Sequence, residues 1–116
     1  MINNYYNDME CDKMNMLEWI QNWYLRNCDG DWEHSYGIKI YTLDNPGWSV
    51  NIDLTDTYLE FSKFELIQKY IDENNWIHCN VVDGVFKGGG SADKLEEILK
   101  VFSEWATINN ECTATD

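Results

Sequence analysis

Residues 36 to 54 read YGIKIYTLDNPGWSVNIDL, and their alternation constrains the fold more than any other feature of the chain. Ile38 and Ile40 alternate with Lys39 and Tyr41, and Trp48, Val50, Ile52 and Leu54 alternate with Ser49, Asn51 and Asp53. A period of two means extended strands with one buried face, so residues 36–43 and 47–54 are expected to pair as an antiparallel hairpin. Pro46 presets the first corner of the connection, and Gly47 suits the positive φ that a type II turn needs at its second. A slip of one residue would turn Ile38, Ile40, Val50 and Ile52 to solvent, so the register is strongly specified. A second hairpin follows from WIHCNVV and VFKGGG joined by Asp83-Gly84, a dipeptide suited to tight turns between apolar runs.

Helical periodicity frames these strands. The first helix is expected from about Asn15 to Cys28, with Asn15 and Glu18 spaced as a capping box and Met16, Leu17, Ile20, Trp23 and Tyr24 on one face. Arg26 suits its C-terminal dipole and Gly30 a left-handed cap just beyond. A second helix is read from Ser62 through about Asp72, opened by Ser62 and Glu65, with Phe64, Ile67, Tyr70 and Ile71 facing inward. Ser91 is expected to cap a third, whose stripe is Leu95, Ile98, Leu99, Phe102 and Ala106. TYLE at 57–60 adds a short optional strand. The predicted order is α-β-β-(β)-α-β-β-α, a two-layer α+β fold in which helices cover an antiparallel sheet of two hairpins. One domain over residues 13–106 accounts for all of this, with flexible ends at 1–12 and 107–116.

Charge narrows the function. The chain carries 21 acids against eight Lys and Arg, a net charge of −13. That field repels nucleic acid and anionic lipid and attracts basic protein surfaces, so neither nucleic acid nor membrane is an expected partner. No apolar run reaches the ~20 residues that span a bilayer, and MINNYYNDMECDK lacks the features of a signal peptide, which leads to an expected cytoplasmic location. Cys11, Cys28, Cys79 and Cys112 form no CxxC pair and are expected as free thiols.

The densest group of ionisable residues is CDGDWEHSYG, where Asp29, Asp31, Glu33 and His34 surround Trp32. A calcium loop starting at Asp29 fails, because its glycine position is His34 and its bidentate glutamate position is Ile40. His34, Glu33, His78 and Cys79 lack the spacing of a transition-metal site, and no cofactor is expected. Glu33 and His34 could form an acid–base pair, with Asp31 beside them, in a small metal-dependent or acid–base hydrolase. Adjacent residues of an extended lead-in point apart, which counts against it. Ser49 and Ser103 have no setting for a nucleophile. KGGGS at 87–91 does not match a phosphate-binding loop and reads as a glycine bulge turning the chain into the third helix. Trp32, framed by acids, fits either the core or an interface anchor; Trp48, which follows the turn with Asp44 and Asn45, favours the core.

The run LEWIQNWYLRNCDGDWEHSYGIKIYTLDNPGWSVNIDL, with WIHCNV, FKGGG and LEEILKVFSEW after it, resembles the immunity protein 53 family of bacterial polymorphic toxin systems. The likeness spans residues 17 to 105, and CDGDWEH and LDNPGW are its most specific parts. It implies a small, non-enzymatic α+β protein, encoded beside a secreted toxin, that binds and neutralises that toxin during contact-dependent competition. It supplies no catalytic residue. Taken with the charge, the expected partner is a cognate toxin with a basic surface, such as a nuclease cleft. The expected interface is Asp29, Asp31, Trp32, Glu33, His34, Asp44, Asn45 and Trp48. Oligomeric state is left open by the sequence.

Overall fold

The computed structural model describes residues 15–114, with 110–114 as backbone only. Cys11, Cys112 and the N-terminal stretch 1–12 therefore lie wholly or in their side chains outside the described residues. Eight elements follow in order: α1 (Met16–Asn27), α2 (Trp32–Ser35), β1 (Ile38–Leu43), β2 (Gly47–Asp53), β3 (Ile67–Asp72), β4 (Asn75–Val82), β5 (Val85–Gly90) and α3 (Leu95–Ala114). The strands form one antiparallel sheet in the order β1-β2-β5-β4-β3, so the fold is α+β.

Both expected hairpins are present. Ile40 pairs with Val50 and Ile38 with Ile52, and the Asp83-Gly84 turn takes φ values of 53° and 77°, as a type I′ turn requires. The first connection differs from expectation. Gly47 has no positive φ and opens β2, where a Cβ would lie 2.6 Å from the Gly90 carbonyl oxygen; close strand approach, and not turn geometry, is what calls for glycine there.

The largest correction concerns residues 62–72. They form no helix: Ile67–Asp72 is the edge strand β3, paired with β4 through a tight turn in which Asp72 Oδ1 accepts the Asn74 N–H at 2.8 Å. Without β3, one edge of β4 would keep its backbone groups unpaired, and the β-branched and aromatic content of IQKYI suits a strand; these outweigh the local capping signal of Ser62 and Glu65. Phe64 still turns inward, packing edge-on against Phe86 and Trp105, but Tyr70 and Ile71 are 69% and 72% exposed. Residues 57–60 form turns and not a third strand.

Asn15 caps α1 as expected, accepting the Glu18 N–H at 2.7 Å. The buried face is rotated from the expected one: Met16, Trp19, Ile20 and Trp23 are buried, whereas Leu17 lies 69% exposed and Tyr24 is exposed. Trp19 and Trp23 both meet the ring of Phe102 on α3, and that demand for aromatic contact sets the rotation. The stripe of α3 is as read, with Ile98, Leu99, Phe102 and Ala106 buried, and the backbone stays helical to Ala114, beyond the expected tail boundary. Ser91 does not cap it. Its hydroxyl instead accepts the Trp76 N–H at 3.1 Å, while the Lys94 carbonyl takes the first helical bond from Ile98.

The glycine run is also reassigned. Gly88, Gly89 and Gly90 form no bulge; they sit in β5, in continuous register with both neighbours. A Cβ on Gly88 would stand 2.5 Å from Ile98 Cγ2, and one on Gly90 2.7 Å from Lys94 Cβ. The absent side chains let α3 lie directly on the central strand.

Candidate partner surface

The loop that carries most of the charged candidates is a folded turn. Trp32–Ser35 is one helical turn, so the expected strand-like lead-in, with Glu33 and His34 pointing apart, is replaced by a helix. Asp29 Oδ1 accepts the N–H groups of Asp31 (3.0 Å) and Trp32 (2.9 Å), and Glu33 returns the favour to Asp29 (3.0 Å) and Gly30 (2.9 Å). This reciprocal pattern follows capping-box logic. Gly30, at φ 96°, makes the bend possible; it lies past the extended Cys28 that ends α1, so it shapes this turn and does not itself cap the helix.

The electrostatics follow from these bonds. The N–H of Trp32, then that of Asp31, holds the Asp29 carboxyl below its ordinary range. Glu33 is held low by its own N–H first, then by those of Asp29 and Gly30, with His34 adding a small pull. A carboxylate so stabilised is a weaker base than a free one.

Trp32 resolves as a core residue. It is 4% exposed, its Nε1–H donates to the Thr55 carbonyl at 2.9 Å, and its ring meets Trp23 edge-on. Trp48 packs half-buried against the core, with its Nε1–H on the Ala92 carbonyl at 2.8 Å. Asp31 and His34 are exposed, as are Asp44 and Asn45. The structure does not gather these eight residues into one site. Residues 29–34 precede the start of β1, and Asp44, Asn45 and Trp48 lie at its far end, roughly 17 Å away by strand rise.

Cys79 and His78 alternate on β4. Cys79 is buried on the helix side, where burial, then the charge of Glu97, pushes its thiol up to about 12; His78 is exposed on the opposite face. Cys28 and Cys79 are both free thiols. Among the described residues no three His, Cys, Asp or Glu side chains are placed to hold a metal ion.

What the sequence did not reveal is the second face of the sheet. Two cross-strand rows run along it: Lys39, Asn51, Lys87 and Asn80, then Tyr41, Ser49, Gly89, His78 and Gln68. Trp76 and Tyr70 form the adjacent pair. Hydrogen bonding from Ser49, then Asn51, with smaller help from Lys39 and Lys87, holds Tyr41 below the ordinary phenol range. The signal was present as the polar half of each alternation, but assembling it requires the strand order and the identity of β3.

The family model described as Immunity protein 53 matches residues 17–107, nearly all of the fold just described. The chain belongs to the immunity protein 53 family. Searches of curated proteins and of solved structures yield no match. As a member of that family the chain is an immunity protein, and no described helix is long and apolar enough to cross a membrane.

Proposed function

We propose that this immunity protein neutralises a cognate toxin stoichiometrically, by binding over its active site or a neighbouring surface within the producing cell. The family match over residues 17–107 carries the reading. The net charge of −13 supports a partner with a basic surface, as a nuclease cleft would offer, because such a field raises the encounter rate and is screened by salt. Asp29, Asp31 and Glu33 at one end of the first hairpin, and Asp44 at the other, contribute to that field by charge. Trp32 contributes by holding the turn in place.

The test is a titration of toxin activity with the purified protein. Loss of activity should be linear and complete near one equivalent. Full inactivation by a tenth of an equivalent would mean turnover and would contradict a binding mechanism.

A further inference from the structure

We infer that the uncovered face of the sheet, centred on Lys39, Tyr41, Trp76 and Lys87, is the surface that contacts the toxin, and that it meets a patch of the toxin bearing carboxylates. This rests on the toxin-binding reading and adds to it the surface and the chemistry of what it meets.

Three observations converge. First, the described helices and the segment 55–66 pack on the other side of the sheet: Phe102 of α3 and Phe64 both meet Phe86, and Tyr58 reaches the Ala106 carbonyl. Among the described residues no element covers the second face. Second, charge is segregated. Of the 21 acids only Asp53 and Asp72 lie in the described strands, each as the last residue, and Asp53 Oδ2 already accepts the Gly37 N–H at 2.9 Å.

Lys39 and Lys87 flank Asn51 in one row, roughly 10 Å apart by strand spacing, and neither forms an ion pair among the described residues. In a chain this acidic, two unpaired lysines alternating with Asn51 and Asn80 make a row of hydrogen-bond donors suited to carboxylates. Third, the centre carries the residue types that anchor interfaces. Tyr41 is 49% exposed, Tyr70 exposed, and Trp76 leans over Gly89, which presents no side chain between Ser49 and His78. A second copy of this chain is a poor occupant, because face-to-face pairing would set lysine against lysine and −13 against −13.

The test uses the toxin domain encoded beside this chain, purified with its active site disabled, and the double variant Lys39→Glu/Lys87→Glu. Both side chains are exposed, so the fold should hold, as circular dichroism would verify. The substitution makes the protein four units more acidic. If overall acidity alone drove binding, the variant would bind at least as tightly; contact through this face predicts a loss of thirty-fold or more. A charge change of the same size and opposite sign, Glu96→Lys/Glu104→Lys on α3, should shift affinity less than five-fold. Unchanged or tighter binding by the lysine variant overturns the inference, as does a toxin-free dimer that dissociates only in that variant. Failure of the unsubstituted protein to bind the toxin overturns instead the reading on which the inference rests.

Discussion

The two faces of the sheet differ in what their side chains are used for. On the helix side Val50, Ile52, Phe86, Ile77 and Cys79 are buried; on the opposite face of the sheet lie Lys39, Tyr41, Asn51, His78 and Lys87, with no described helix over them. A strand presents alternate residues to each face, so one set of backbone positions serves both packing and solvent. Residues committed to the core cannot be traded without loss of stability, whereas the open face is free to vary its chemistry at little structural cost. That freedom is what a protein matched to one particular toxin needs.

Neighbouring glycines of β5 offer the sharpest way to break this comparison. Gly88→Ala would drive a methyl into Ile98 and should destabilise the protein by about 2–3 kcal/mol in urea denaturation. Gly89→Ala, one residue on, meets Trp76 at 3.5 Å, an ordinary contact, and should leave stability unchanged or raise it by about 0.5 kcal/mol. Equal losses at the two positions would mean that the open face is packed as tightly as the helix face.

A smaller effect concerns the acidic turn outside the sheet. Asp29 and Glu33 have folded pKa values below their unfolded ones, so their contribution is fully present only above the unfolded values, from about pH 5 upward, and is lost as pH falls through the folded values. Asp29→Asn/Glu33→Gln should therefore flatten the acid limb of a stability–pH profile below about pH 5, with the midpoint in neutral urea the comparison point. An unaltered acid limb would remove the capping role assigned to these carboxylates.

Legibility in the sequence tracked how local the determining physics is. The two hairpins, the Asn15 cap and the α3 stripe rest on alternation, turn chemistry and helical period within a few residues, and each was readable. Residues 62–72 are not, because their strand is imposed by β4, and only that pairing places Gln68 and Tyr70 on the open face. The charged group around Trp32 stands out because its acids are dense; in the structure Asp29 and Glu33 accept backbone N–H groups and the indole between them is buried. Dense charge next to a tryptophan marked a tight turn anchored in the core. The open face went unseen for the opposite reason, since its residues are far apart in sequence and join only through the order β1-β2-β5-β4-β3.

Hydroxyl-radical footprinting of the protein, free and bound to the inactivated toxin domain, tests the division between the faces most directly. Complex formation should protect Tyr41, Tyr70, Trp76 and His78 while Leu17 and Leu25, exposed at 69% and 66% on α1, stay as reactive as in the free protein. Protection of Leu17 and Leu25 with Tyr41 and Tyr70 unaltered would contradict the account.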